Sequence, residues 1–313
     1  MVATLLTAGA DIDATEQRQA TPLYAACLTG HLPVVERLLA AGANIEAAFW
    51  TGATPLTIAS QSGHVEVVAK LLAAGACIEA ATNSGSTPLF VACEMGQPAV
   101  VEMLMAAGAN LDVTNRDGAT PMIVAAQNGH LEVVEILLAA GVAADTATNM
   151  DVTPLFIACQ NGHRAVVESL LAAGATSFQS TTRYGTTPLD VACRNGHLKV
   201  VKTLLAAGAS TQGAQSSRKP IGRAKRHRAI VNLLTKPLPS AIKAAFLARI
   251  KSIQARQEEA KARAHSLSAL PASSSAHVAP SVGLASPAKR GLPISCHKSD
   301  HQSQLNSKRH RDQ

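Results

Sequence analysis

Cysteine and histidine recur together along this chain, in the pairs Cys27/His31, Cys159/His163 and Cys193/His197. Two kinds of chemistry use such pairs: a metal site, and a thiol activated by an imidazole. A glycine separates the two residues of every pair and is expected to end a helix, so the two side chains need not share a face. Neighbouring helices pack about 8 to 10 Å apart, whereas zinc holds four ligands within about 2.0 to 2.3 Å. We therefore predict no metal ligand, no catalytic residue and no cofactor.

The segments that carry these pairs belong to an internal repeat. Thr-Pro-Leu, or Thr-Pro-Met once, begins at residues 21, 54, 87, 120, 153 and 187, in steps of 33 with a last step of 34. Glycines at residues 9, 42, 75, 108, 141, 174 and 208 keep the same steps. The extra residue therefore lies in the segment 175–186, which is predicted to be a loop. A fixed period of this length is typical of a solenoid.

Each unit predicts two helices joined by a tight turn. Thr21 starts the first helix, Pro22 fills its first position, where a missing N–H costs nothing, and Gly30 ends it. A second helix follows, with an apolar stripe of helical period at Val34, Val35, Leu38 and Leu39. Gly42 is expected to end this helix in a left-handed conformation, and the small polar residues 43–53 predict a turn or hairpin.

Comparison of the units gives the paired residues a structural role. The cysteine position holds Ser60, Cys93 and Ala126 in the other units, which indicates a requirement for a small side chain. We predict that the recurrent histidines form hydrogen bonds between units; they are His31, His64, His130, His163 and His197, with Gln97 standing in once. No Gly-rich phosphate loop and no Ser, His and Asp set stands out, so nothing in the sequence argues for an enzyme.

The motif Thr-Pro-Leu-x-x-Ala, followed by Gly-His, Val-Val, Leu-Leu and Gly-Ala, resembles the ankyrin repeat over residues 1 to about 236. The resemblance implies an all-α solenoid of helix–turn–helix units with hairpin-like loops. One departure concerns the fourth motif position, which is usually histidine in that family. It is occupied here by Tyr24, Thr57, Phe90, Ile123, Phe156 and Asp190, so we expect more apolar contacts between units, with Asp190 as the exception.

The predicted organisation is linear. It consists of a partial repeat at 1–16 (second helix and loop), six repeats over 17–215 (17–49, 50–82, 83–115, 116–148, 149–182 and 183–215), a degenerate capping repeat at 216–236, a basic amphipathic helix at 240–265 and a disordered basic tail at 266–313. The apolar stripe of the basic helix consists of Ile242, Phe246, Ile250 and Ile253. This stripe alone does not decide whether the helix packs on the array, binds a partner or lies on an acidic membrane surface. Met1 falls inside a repeat, which suggests an N-terminal truncation or a helix that caps alone.

Charge and composition exclude several classes of protein. Residues 1–210 hold nine Lys and Arg against seventeen Asp and Glu, whereas residues 211–313 hold nineteen against four. No apolar run is long enough for a membrane span, the start lacks a basic leader, and six cysteines in 313 residues are no disulfide framework. We expect an intracellular location, in the cytoplasm or the nucleus, and a monomeric array.

A solenoid offers surface for binding, on a concave groove and on the loop tips beside it. By resemblance, these are the positions that ankyrin repeat proteins use to hold partners, and they vary most between the units of this chain. The predicted tip contacts are Arg18, Trp50, Arg116, Met150, Arg183 and Tyr184. The predicted groove contacts are Leu28, Gln61, Glu94, Met95, Gln127, Asn128, Gln160, Asn161, Arg194 and Asn195. Trp50 stands out, because tryptophan is favoured at binding hot spots, although Phe49 and Trp50 could instead fold back over a neighbouring tip.

The predicted function is a noncatalytic scaffold or adaptor that binds a protein partner through the groove and tips. One alternative is a regulatory ankyrin portion of a larger enzyme or channel, motivated by the mid-repeat start. Another is a nuclear, transcription-associated regulator that contacts nucleic acid through its basic tail alone. The tetrapeptide Lys-Arg-His-Arg, at 225–228 and 308–311, is a candidate nuclear-import signal in its second copy and a capping face in its first.

Overall fold

The computed structural model describes residues 9–16, 19–177, 180–210, 228–235 and 238–268. Six helix pairs come first, one pair per repeat: α1 Pro22–Thr29 and α2 Leu32–Ala40; α3 Pro55–Ser62 and α4 Val65–Ala73; α5 Pro88–Met95 and α6 Pro98–Ala106; α7 Pro121–Asn128 and α8 Leu131–Ala139; α9 Pro154–Asn161 and α10 Arg164–Ala172; α11 Pro188–Asn195 and α12 Leu198–Ala206. Two further helices follow, α13 Arg228–Thr235 and α14 Ser240–Ser268.

Local sequence explains where each first helix begins and ends. In α1, the Thr21 hydroxyl accepts a hydrogen bond from the Tyr24 backbone N–H at 3.2 Å and caps the helix, while Pro22 occupies its first position. Gly30 ends the helix with φ +72°, a left-handed conformation that costs glycine little. The other five first helices repeat this arrangement, so the predicted Thr-Pro start and glycine stop are confirmed.

Each second helix ends in a paired hydrogen-bond motif. After α2, the Gly42 N–H donates to the Leu39 carbonyl and the Ala43 N–H donates to the Leu38 carbonyl, at 3.1 and 3.0 Å. These two bonds form a Schellman motif, with Gly42 at φ +87° as its left-handed residue. The chain therefore turns away at a fixed angle toward the next repeat, which is what permits regular stacking.

Stacking produces two helical layers around one elongated core. First helices contact the first helices of adjacent repeats more extensively than second helices contact second helices, so the first-helix layer lies on the inner side. The residues at the fourth motif position are all buried between repeats, from Thr57 at 1% exposed to Phe156 at 8%. At least one leucine of every second helix is also buried, for example Leu71, Leu104 and Leu137. The expected contacts between units are thus present.

Asp190, the exception at the fourth motif position, completes a capping box at the start of α11. Its carboxylate accepts from the Thr187 backbone N–H at 3.2 Å, and the Thr187 hydroxyl accepts from the Asp190 backbone N–H at 3.1 Å. Two helix-end donors are therefore satisfied at once. The Thr-x-x-Asp pattern of this segment is the sequence feature that indicates a capping box.

The C-terminal helix α14 packs on the second-helix side of the array. It contacts α10 and α8, and it contacts α12 less extensively. Of the three possibilities that its apolar stripe left open, packing on the array is therefore the one that the structure shows. The helix also runs to Ser268, three residues beyond the predicted end at 265. Within the described part of the chain, no helix combines the length and apolarity that a membrane crossing requires.

Several predictions concern residues outside the described ranges. They include most of the partial repeat at the start, Arg18, both copies of the basic tetrapeptide except Arg228, and the tail beyond residue 268. In the predicted capping repeat only α13 is described. It contacts α12 and buries Ile230 and Leu234 at 1% and 8% exposed.

Candidate partner-binding surface

A ladder of hydrogen bonds runs along the groove, from each repeat to the one before it. His64 Nε2 lies 3.1 Å from the Leu28 carbonyl oxygen, and His130, His163 and His197 make the equivalent contact at 2.9 to 3.0 Å. Since a carbonyl only accepts, Nε2 carries the proton in each case. Gln97 donates to the Gln61 carbonyl at 3.4 Å in the place of a histidine. The predicted role of these side chains between repeats is confirmed, with His31 contacting Thr29 locally instead.

Three predicted groove contacts take part in the same ladder. The side-chain amide of Asn128 donates to the Glu94 carbonyl at 2.8 Å, and the amides of Asn161 and Asn195 make the corresponding bond at 2.7 Å. These residues are exposed, yet one side of each amide already serves the array. A partner would therefore meet them as fixed groups that lose little side-chain entropy on binding.

The cysteines of the Cys/His pairs, together with Cys93, are buried thiols in the core. Cys27, Cys93, Cys159 and Cys193 are all 0% exposed. Burial raises the pKa of Cys27, Cys93 and Cys193 from 9.0 to about 12. It also raises the pKa of Cys159. At Cys193 the negative charge of Asp190 adds to the effect of burial. Such thiols remain protonated near neutral pH and are poor nucleophiles. Ser60 and Ala126 fill the same buried position, which confirms the requirement for a small side chain.

The loop tips form a second ladder beside the groove. The Asn83 N–H donates to the Thr51 carbonyl at 2.8 Å, and the Arg116 N–H donates to the Ser84 carbonyl at 3.0 Å. At the last tip, the corresponding bond from Arg183 to the Met150 carbonyl lengthens to 3.4 Å. Asp151 follows Met150 with φ +59°, at a position where three earlier tips have glycine.

An aromatic cluster stands at the N-terminal end of the array. The Phe49 ring stacks on the buried Tyr24 ring, with centroids 4.9 Å apart and planes inclined by 12°. Trp50 lies against Phe49 with a centroid distance of 6.0 Å and an inclination of 57°. Of the two ways these rings could be arranged, Phe49 folds back into the array while Trp50 keeps 56% of its surface exposed. Phe49 thus supports Trp50 from behind.

Exposed large apolar side chains of the array coincide with predicted contacts. They are Leu28 at 47% exposed, Trp50, Met95 at 42%, Met150 at 53% and Tyr184 at 75%. Among the described residues, the one other such side chain is Leu247, on α14. All five lie in the groove or on the tips and none lies on a second helix, so they share the face on which partner binding is predicted.

The polar residues predicted for the site also lie at the surface. Arg116, Arg183, Gln61, Gln127 and Arg194 are exposed, whereas Glu94 and Gln160 are half-buried. The Arg183 guanidinium donates to the Asn149 carbonyl at 2.8 Å, so it is oriented by the preceding tip. Gln61, Glu94, Gln127, Gln160 and Arg194 lie on first helices, whereas Arg116 and Arg183 lie in the loop tips.

Acidic side chains of the loops bond to the backbone of the next repeat, a contact that the sequence motifs did not predict. Loop carboxylates accept hydrogen bonds from backbone N–H groups 31 residues later: Asp13 from Asn44, Glu46 from Cys77, Glu79 from Asn110 and Asp145 from Thr176, at 2.7 to 3.0 Å. Burial raises the pKa of Glu46 even though its hydrogen bond with Cys77 acts in the opposite direction. The signal was the recurrence of an acid at a 33-residue step through 13, 46, 79, 112 and 145.

A buried carboxylate fixes α14 to the array. Glu168 of α10 is 1% exposed at its side chain and accepts a hydrogen bond from Arg164 Nε at 2.8 Å. Arg249 Nε of α14 lies 2.6 Å from its other oxygen, as an ion pair whose angles are not those of a hydrogen bond. About two turns further along α14, Gln257 donates to the Ser169 carbonyl and hydroxyl oxygens, both at 3.0 Å. These contacts surround the buried Ile253.

Replacing Arg249 is expected to loosen α14 without unfolding the array. Arg249→Ala leaves the buried Glu168 carboxylate with one cationic partner. Losing a partner in a fully buried site lowers stability by several kcal/mol. Because the Arg249 side chain is 54% exposed, we expect the docking of α14 to be weakened by only about 1 to 2 kcal/mol. Amide hydrogens of α14 should therefore exchange roughly tenfold faster, as measured by mass spectrometry, with α1 to α9 unchanged. Lys251→Ala, which removes an exposed cation of the same helix, is the control. Equal exchange in both variants would show that the ion pair does not hold α14.

Known proteins resemble the chain throughout the array. The family model for ankyrin repeats (3 copies) matches residues 1–82, 52–115, 78–149 and 142–215. The crystal structure of the human ASB11 ankyrin repeat domain matches with a TM-score of 0.60 and 30% sequence identity. The match covers 74% of this chain and 98% of that chain. The ankyrin repeat domain of Bcl-3, of the IkappaB protein family, is 29% identical, with a TM-score of 0.60, over 70% of this chain and 100% of that chain. A search of curated proteins gave no match. Because the family model matches residues 1–215, the chain belongs to the ankyrin repeat family.

Proposed function

We propose that this protein is a noncatalytic scaffold or adaptor that binds a protein partner along its groove and loop tips. Ankyrin repeat domains are typically protein-interaction modules and are generally noncatalytic. The observation that carries the proposal is the placement of the exposed apolar residues. Leu28, Trp50, Met95, Met150 and Tyr184 lie in the groove and on the tips, while the framework residues between them are buried.

Charge on this face supports recognition through shape and apolar contact. The groove and tips carry both signs, with Arg116, Arg183 and Arg194 against Glu94 and Asp117. Most acids of the array instead lie on second helices or in the loops that follow them. Since amides and hydroxyls fill most of the remaining groove positions, we expect partner binding to depend weakly on salt.

Trp50 is the anchor with the largest expected effect on binding. Its ring is held by Phe49, which is itself stacked on Tyr24, so little freedom is lost when a partner covers it. Replacing an anchor of this kind with alanine costs about 2 kcal/mol, or roughly a thirtyfold loss of affinity. We expect Trp50→Ala to lose most partner capture, and Trp50→Ala with Tyr184→Ala to lose more.

The test captures partners with the full chain and compares variants by quantitative mass spectrometry. Leu247→Ala is the matched control, because Leu247 is also a large apolar residue, 56% exposed, but lies on α14. Partners that are lost with the Trp50 variants and kept with Leu247→Ala support the proposal. Unchanged capture by the single and double variants, with circular dichroism like that of the parent, would overturn the anchor assignment.

A further inference from the structure

A cleft opens between α12 and the N-terminal half of α14, on the side of the array opposite the groove. Its volume is about 720 Å³, within the range of roughly 300 to 1,000 Å³ that small-molecule sites occupy. The cleft exists because α14 follows α10 and α8 closely but contacts α12 less extensively. Neither the ankyrin family nor the proposed partner surface accounts for it.

Four cations line this cleft, and their charge is not balanced. Lys199 and Lys202 come from α12, Arg164 from α10 and Arg249 from α14. Among the carboxylates described, Glu168 alone contacts this group; it is buried and already engaged by both arginines. Neither lysine forms an ion pair with any described residue. The region therefore carries about three uncompensated positive charges, which repel one another across the gap.

The N-terminal part of α14 therefore meets α12 across a cationic gap. Further along α14, Gln254 and Gln257 donate to the carbonyl oxygens of Ala172 and Ser169 on α10, so the helix is held closely there. The N-terminal half instead faces the two lysines of α12. An anion in the cleft would turn repulsion into attraction and would draw the two helices toward it.

The remaining walls of the cleft are apolar. Ile242 and Phe246 of α14 line it from one side, and Ala206 of α12 lines it from the other. Both large side chains belong to the stripe of α14, yet they stay half-buried, whereas Ile253 of the same stripe is 5% exposed. The cleft thus combines a cationic rim with an apolar surface that the array covers only in part.

We propose that the cleft binds an anionic amphiphile, a single alkyl chain with a phosphate-monoester head. A phosphate monoester carries nearly two negative charges near pH 7, which matches the two lysines that no described carboxylate pairs with. Lysine attracts it as a point charge, and the arginines can add hydrogen bonds to its oxygens. The alkyl chain would cover Ile242 and Phe246. Bound in this way, the ligand joins α14 to α12 and completes the packing of the helix.

Octyl phosphate is the probe, titrated calorimetrically into the full chain beside inorganic phosphate and octanol. The proposal predicts saturable one-to-one binding of octyl phosphate, with each of the other two at least tenfold weaker. Inorganic phosphate as tight as octyl phosphate would show that the apolar walls are not used. Octanol that binds as tightly as octyl phosphate would show that the cations are not used. Either result, or no saturable binding, overturns the proposal without need of any variant.

Two double variants then locate the site. Lys199→Gln with Lys202→Gln is expected to weaken octyl phosphate binding at least tenfold. It should keep or raise the melting temperature of the free protein, because a repulsion is removed. The control, Lys70→Gln with Lys251→Gln, removes the same charge outside the cleft and should change the affinity less than twofold. Equal weakening by both would mean nonspecific attraction and would overturn the site. Lys199→Arg with Lys202→Arg keeps the charge and should restore binding.

Discussion

Leu137→Ala is expected to lower the free energy of unfolding by about 3 kcal/mol. Leu137 lies in α8, in the fourth of the six repeats, and is 0% exposed in the core that the two helical layers share. Truncating a fully buried leucine removes its transfer free energy and leaves a cavity, and the measured cost ranges from about 2 to 5 kcal/mol. Repeats stabilise one another through neighbouring interfaces, so a weak central repeat should also weaken the coupling between the two halves of the array.

Urea unfolding followed by two signals can measure both effects. Far-ultraviolet circular dichroism reports all helices, whereas fluorescence reports the single tryptophan, Trp50, at a tip near the N-terminal end. We expect the circular dichroism midpoint to fall further than the fluorescence midpoint in Leu137→Ala. Leu247→Ala removes the same side chain where it is 56% exposed and should change stability by less than about 0.5 kcal/mol. A loss below about 1 kcal/mol in Leu137→Ala would contradict the assigned core position.

The repeated framework could be predicted from sequence because each of its signals is local. A threonine cap, a proline in the first turn and a glycine stop act within a few residues, and the 33-residue step repeats them six times. The register of the first and second helices follows from these marks, and so does the exposure of Trp50 and Tyr184 on the tips. Even the ladder of histidines could be expected, because each histidine follows a glycine at a fixed place in the repeat.

The contacts that could not be predicted join segments without a shared period. Arg249 and Glu168 are 81 residues apart, and nothing in the basic helix says which acid it will meet. The apolar stripe of α14 was visible, but its docking side depends on where the array places its acids in three dimensions. The cleft beside α12 is further from prediction, because it lies between two helices that meet only through this docking.

Gly129→Ala is expected to lower the free energy of unfolding by about 3 kcal/mol, although it adds only one methyl group. Gly129 ends α7 with φ +78°, where alanine is strained by about 1 to 2 kcal/mol. A β-carbon there would also lie 2.5 Å from Nδ1 and 2.7 Å from Cε1 of the His163 ring in the next repeat. The ring must move, and its hydrogen bond to the Gln127 carbonyl at 2.9 Å is worth about a further 1 kcal/mol. The close approach of Gly129 and His163 therefore leaves no room for a larger residue at this position.

A neighbouring glycine separates these two costs. Gly141 has φ +86°, yet a β-carbon on it would meet nothing within 4 Å, so Gly141→Ala should cost the strain alone. The difference between the two variants, measured by urea unfolding, then gives the cost of displacing His163. Adding His163→Ala removes the ring, so the double variant should be less destabilised than the two single losses combined. Simple additivity in that cycle, or equal losses in the two glycine variants, would mean that the ring does not restrain the glycine. Coupling above about 0.5 kcal/mol would establish a glycine–histidine contact between repeats as a determinant of array stability.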